Sequence, residues 1–209
     1  MKEIEILVKV FGSDATVDKK LRRTTRFLGN VHVRDIYYYD PLRKSNYIRK
    51  DGRFSGSFRL RRKNGKVLLT HKQDIFTRRG LWFYSEEHET EIKNFFAGQK
   101  IIEALGMKKL IALFILKRTY KSREYKIVLE NVRGLGIFLE VEALRMRKSE
   151  SVRDVKKRIL QFIEGLDVHT SRELGIGKAE LLLAKRKRLK LPPRYMAFLA
   201  KFDYAGRKN

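Results

Sequence analysis

Cysteine is absent from the 209 residues, which removes disulfide frameworks and thiolate metal sites together. Histidine is nearly so: His32, His71, His88 and His169 are scattered and form no HExxH pair, so a histidine metal cluster is not expected. Nowhere do about 18 uninterrupted apolar residues occur, so no membrane-spanning helix is expected. The opening MKEIEILVKVFGSD holds no apolar stretch of signal-peptide length, and a soluble, cytoplasmic protein is the expectation. No Ser/Gly/Pro-rich linker and no internal repeat divides the chain. Acidic residues are scarce: 24 stand against 49 basic ones, which leaves a formal charge of +25 at pH 7. That imbalance steers the protein toward polyanions, whether nucleotides, polyphosphate, nucleic acid or an anionic membrane, and fixes only the sign of the partner.

What is present is enough apolar content, 43%, for one sizeable core without covalent staples. Strand patterns dominate the first two-thirds: residues 4–10, 31–39, 57–63, 66–73, 81–92, 110–120, 123–131 and 137–144. Asn64-Gly65 joins the third and fourth as a two-residue hairpin turn. Helical spacing covers 14–28, 95–105, 152–163 and 178–189, with Asn94 and Ser151 as N-caps and Gly106 as a stop. Beyond Leu183 the composition turns basic, KRKRLK over 185–190, and then meets Pro192-Pro193. The expected organisation is therefore a main domain over 1–184 and a basic extension over 185–209. The class is α+β, and eight antiparallel strands can close a barrel.

Charge follows a period of two in several strands, so it marks one face of each. Glu3, Glu5 and Lys9 share a face opposite Ile4, Ile6, Val8 and Val10; Arg59, Arg61 and Lys63 share another; so do Glu87, Glu89 and Glu91, Glu140 and Glu142, and Lys126 and Glu130. Taken singly, each row reads as the solvated face of an ordinary sheet. Taken together, acidic and basic rows alternate among strands whose other faces are strongly apolar and need helices to cover them. Closure then places the charged rows inside, as a tunnel with carboxylate and guanidinium or ammonium walls. Crowded carboxylates repel unless they share a cation, and Mg²⁺ or Mn²⁺ suits an all-oxygen set. Arginine forks and lysine charges suit phosphate oxygens. A metal-bound triphosphate answers all of these demands.

In order along the chain, KEIEILVKV, RDIYYYDP, FRLRRKNGKVLLTHKQ, EEHETEI, IIEALGMKK, LKRTY and LENVRGLGIFLEVE resemble the CYTH superfamily, the triphosphate tunnel metalloenzymes, over roughly residues 1–184. The resemblance implies that Glu3, Glu5, Glu140 and Glu142 bind the metal, with Glu130 where the family usually has Asp. It implies phosphate binding by Arg59, Arg61 and Lys72, a further cation from Lys117 or Arg118, and an acidic lining from Glu87 or Glu89. The family lysine two residues after the second glutamate is Leu7 here, and Lys9, one repeat further on the same face, is the candidate to replace it as the catalytic cation. The family also implies the chemistry: hydrolysis of ATP, thiamine triphosphate or inorganic triphosphate, or cyclisation of ATP as in class IV adenylyl cyclases. The competing expectation is a catalytically weak protein that binds polyphosphate or RNA through the same tunnel and basic surface. GIGKA at 175–179 lacks the first glycine and the Ser/Thr of a phosphate loop, and capping of a helix accounts for it better.

Overall fold

The computed structural model of the chain describes residues 2–78, 80 and 82–205. Nine ladder segments form one antiparallel sheet: β1 (Lys2–Glu3), β2 (Glu5–Lys9), β3 (Arg26–Tyr39), β4 (Gly56–Lys63), β5 (Lys66–Phe76), β6 (Trp82–Ile92), β7 (Lys108–Lys121), β8 (Tyr125–Val132) and β9 (Gly136–Ala143). Their spatial order is β1-β6-β5-β4-β3-β7-β8-β9-β2. β1 and β2 are a single run of chain interrupted at Ile4. Its first part pairs with β6, Glu3 opposite Ser85, and its second with β9, Glu5 opposite Glu142. The opening strand therefore belongs to both edges and curls eight strands into a tunnel. The strand expected over 81–92 is seen from Trp82, Leu81 lying outside the described residues.

The Asn64-Gly65 turn has φ of 49° and 75°, the paired positive values of a type I′ turn, and brings Lys63 opposite Lys66. Outward faces are apolar and carry the helices. α1 (Asp14–Thr24), capped by Ser13, and α3 (Val152–Gly165), begun by a reciprocal Ser151/Asp154 capping box, bury Val17, Leu21, Val155, Ile159 and Ile163. Those side chains join Ile6 and Val8 of β2 and Val141 of β9 in one cluster. α2 (Phe95–Ala104), capped by Asn94, covers Ile36, Leu60 and Val67.

Two helix limits differ from expectation. The helix expected over 14–28 stops at Thr24, because Thr25 turns extended, its hydroxyl donates to the Leu21 carbonyl at 2.7 Å, and Arg26 already pairs with Lys121 of β7. Ladder bonds there replace further helical ones. The helix expected over 178–189 is α4 (Lys178–Lys185), followed by Lys187 at a φ of 56°. After Leu191 the chain enters α5 (Pro193–Ala205), with proline in the first turn where its missing N–H costs nothing. Leu191, Tyr195 and Leu199 share a core with α4 and with Leu7, Val33, Ile115 and Phe138. Those last four continue the inward-facing rows of their strands, so α4 plugs one end of the barrel with apolar contacts while the rest of the interior stays charged.

Candidate functional site

The alternation of each strand delivers its charged row to the interior, and a cavity of about 280 Å³ results. Its walls include Glu3, Glu5, Arg59, Arg61, Lys72, Glu87, Glu89, Lys117 and Glu140, so nine of the thirteen residues expected at the site come together there. Lys72 links the acidic rows: its ammonium lies 2.7 Å from Glu3, 3.1 Å from Glu5 and 3.9 Å from Glu87. Arg59 reaches Glu87 at 3.4 Å. Arg61 makes a two-toothed pair with Asp35 at 2.7 and 2.8 Å. Asp35 is wholly buried, and although burial alone would raise its carboxyl, Arg61 holds it down at about 2. Glu89 accepts a hydrogen bond from Thr70 at 2.8 Å.

Two donor groups show what the tunnel lacks. The Nε of Arg59 is buried without a hydrogen-bond partner among the described residues, although buried polar groups are nearly always paired. Glu5 is the complementary case. Burial, with smaller pushes from neighbouring Glu140 and Glu3, lifts its carboxyl to about 8 against the opposing pull of Lys72. One ammonium cannot neutralise two carboxylates with a third nearby, so the Glu3/Glu5 pair holds on to a proton. An all-oxygen set with that excess of negative charge suits a hard divalent cation. As the side chains stand, no three carboxylates among the described residues converge closely enough to hold an ion, because lysines occupy the spaces between them.

The remaining four expected residues stand elsewhere. Lys9 has the inward parity but lies beyond the apolar plug, its ammonium donating to the Ile137 carbonyl at 3.0 Å and resting over the Phe138 ring. Arg118 faces outward and pairs with Asp14 of α1 at 2.9 Å, which leaves Lys117 as the inward member of the doublet. Glu142 is paired with half-exposed Lys126 at 2.6 Å. Glu130 is fully buried beneath the tunnel floor, within 2.5 Å of Lys117 and in contact with Lys178.

Lys178 is the principal residue that strand patterns do not disclose. Residues 175–180 enter the barrel, and Lys178, first in α4, bonds Glu140 at 2.5 Å as well as meeting Glu130. Burial would strip its proton, but the two glutamates raise its affinity for it, while Lys178 and Lys117 hold Glu140 well below the ordinary carboxylate range against its own burial. Glu180 fixes the entry by accepting from the N–H groups of Phe54 at 2.6 Å and Gly177 at 2.7 Å. At Phe76, Trp82 and Gly175 the tunnel adjoins a wider cleft of about 1360 Å³. Arg78, Arg153 and Arg172 on its rim pair with no carboxylate among the described residues.

A curled eight-stranded sheet around a charged tunnel, with helices outside, is the architecture in hand. The chain belongs to the CYTH domain family, whose match spans residues 1–173. It is 26% identical over 162 residues to a protein of Methanocaldococcus jannaschii named "Putative adenylate cyclase MJ0240", covering 77% of this chain and 85% of that one. Among solved structures, PH1819 of Pyrococcus horikoshii superposes with a TM-score of 0.69 at 28% identity, covering 87% of this chain and 99% of that one. HpAC1 of Hippeastrum, described as a "putative adenylyl cyclase" with a dominant triphosphatase activity, shares the fold with a TM-score of 0.60 at 17% identity over 91% of this chain and 98% of that one.

Proposed function

We propose that this chain is a metal-dependent enzyme that hydrolyses a triphosphate held in the tunnel. The observation that carries the reading is one cavity whose walls bring Arg59, Arg61, Lys72 and Lys117 together with Glu3, Glu5 and Glu140. Anionic oxygens are the acceptors such a wall is built to meet. Glu3, Glu5 and Glu140 are the residues that would hold Mg²⁺ or Mn²⁺, with Glu142 next to Glu140 on the same face. When bound, the cation would neutralise phosphate oxygens and polarise the phosphorus. Arg59 and Lys72 bind and orient the chain of phosphates, and the apolar plug of Leu7, Ile115 and Phe138 excludes bulk water from the far end. Glu5, whose carboxyl burial lifts to about 8, would have to be ionised to hold a cation there.

A cavity of about 280 Å³ is at the lower end of ligand sites, which run from about 300 to 1,000 Å³. It suits a triphosphate and leaves any organic remainder to the adjoining cleft, which favours hydrolysis as the first reading and cyclisation of ATP as the second. The guanidinium groups on the cleft favour one further reading, polyphosphate or RNA binding with weak turnover. A panel of inorganic triphosphate, thiamine triphosphate and ATP, assayed with Mg²⁺ or Mn²⁺ and then with chelator for phosphate, pyrophosphate and cyclic nucleotide, separates the three. Chelator-sensitive phosphate release is expected, and Glu5→Gln/Glu140→Gln lowers it by roughly a hundredfold or more while the fold survives. Full activity in that double variant would remove the proposed site.

A further inference from the structure

The helix α2 covers Ile36 and Tyr38 on the outward face of β3, and its first residue, Phe95, marks where that cover ends. Two residues back along β3, the row across the outside of the barrel reads Arg62 of β4, Arg34 of β3 and Phe114 of β7, each the register partner of the next. Arg133 stands at the end of the row, its N–H donating to the Phe114 carbonyl at 3.0 Å. Phe114 is 45% exposed, whereas Leu113 and Ile115 on either side of it are buried. A cavity of about 340 Å³ is sunk into this patch, and His32, Arg34, Arg62, Lys63 and Phe114 line it.

The patch breaks two local rules at once. Arg34 stands directly opposite Arg62, and like charges in that relation destabilise a sheet. A large aromatic ring is left in water among them, with the Arg34 guanidinium 5.7 Å from its centre on one side and 5.5 Å from that of Phe95 on the other. Elsewhere on the strands the arginines are matched: Arg59 meets Glu87, Arg61 meets Asp35 and Arg118 meets Asp14. Arg34, Arg62 and Arg133 pair with no carboxylate among the described residues. Local rules are broken in this way where a surface is kept for a ligand.

We propose that this outward patch is a platform for single-stranded nucleic acid, with a base stacked on Phe114 and backbone phosphates met by Arg34, Arg62 and Arg133. Unpaired bases stack on aromatic rings and guanidinium planes, commonly on an open sheet face, while neighbouring cations follow the phosphates. Polyphosphate alone would account for the arginines, but not for the exposed ring set among them. The platform is separate from the tunnel. Asp35 and Arg61, the chain neighbours of Arg34 and Arg62, point the other way and line the interior cavity, so the platform needs neither the triphosphate site nor its reaction.

The probe is a fluorescein-labelled oligouridylate of about twelve nucleotides, followed by anisotropy over a salt series. Its 5′ end is a hydroxyl, so it offers the tunnel no triphosphate. Phe114→Leu, which keeps apolar bulk and removes the ring, is expected to weaken binding roughly tenfold, and Phe114→Tyr to retain it. Arg62→Gln/Arg133→Gln is expected to lower the slope of log K against log salt by about 1.4, two phosphate contacts at about 0.7 each. Arg186→Gln/Arg188→Gln makes the same change of charge in the basic run after α4 and is expected to leave affinity and slope as they are. Absence of binding by the native chain overturns the proposal. So does a control variant that loses as much as the platform variants, because net charge then explains the binding. Binding that long-chain polyphosphate displaces and that Phe114→Leu leaves intact is attraction of a polyanion without stacking, and overturns it as well.

Discussion

Two pairs of glutamates on neighbouring strands of this barrel behave oppositely. Glu3 and Glu5 share one ammonium, that of Lys72, and Glu5 keeps its proton up to about 8. Glu130 and Glu140 share two, those of Lys117 and Lys178, and Glu140 is held well below the ordinary range. All four are glutamates on adjoining strands and all are largely buried, so neither residue type nor burial separates them. The number of cations does. One wall is left short of positive charge and so is the place for an added cation, whereas the other is already neutralised by the protein itself.

The strongest way to break that comparison is to unbalance the satisfied wall. Glu130→Ala strands Lys117 in the interior and leaves Lys178 with Glu140 alone, and a loss of about 3–5 kcal/mol is expected in denaturant unfolding, because removing one partner of a buried ion network leaves charge uncompensated. A variant that unfolds like the native chain would show that water reaches Lys117. A smaller effect sharpens the other wall. Glu5, ordinarily near 4.5, holds its proton to about 8 in the fold, so the folded state binds more protons than the unfolded one between those values. The stability this gives is complete below 4.5 and is lost as pH rises through 8. Glu180, lifted by burial to about 8 as well, adds in the same direction. The unfolding midpoint is therefore expected to fall from pH 5 to pH 8.5, and Glu5→Gln flattens the slope; a midpoint that rises over that interval contradicts the account. Smallest is Glu142→Gln. Its partner Lys126 is half exposed, and water screens the pair, so less than about 1 kcal/mol should be lost in the same unfolding measurement.

Much of this arrangement was legible in the alternation of residues. The rows at Glu3 and Glu5, at Arg59 and Arg61 and at Glu140 repeat every second position, which is the period of a pleated strand, and their apolar reverse sides demanded helices. Asp35 obeys the same period, but sits among Ile36, Tyr37, Tyr38 and Tyr39, where no other charge flags the row. Parity alone left Lys117 and Arg118 equal, and pairing with Glu130 and with Asp14 is what separates them. Parity also placed Lys9 correctly on the inward face without revealing that an apolar plug stands between it and the cavity. Lys178 had no such signature. A lone lysine before AELLLA looks like the solvated start of an amphipathic helix, and its partners lie far back in the chain, so only the tertiary fold brings the three together. The helix limit at Thr24 shows the same asymmetry: helical spacing continued through Leu28, and long-range pairing with β7 overrode it.

The opening strand, which pairs with β6 on one side and β9 on the other, also sets an order of events during synthesis. Half of its ladder is available once β6 has formed, but Glu5–Lys9 has no strand to pair with until residue 143 has emerged. At roughly 5–20 residues per second, Glu5–Lys9 waits on the order of ten seconds for the last strand of the sheet. A waiting, unpaired strand is an invitation to aggregation, and charges on it are the usual protection. Glu3, Glu5 and Lys9 therefore act twice, first by keeping a nascent edge from pairing with the wrong chain, and afterwards inside the barrel.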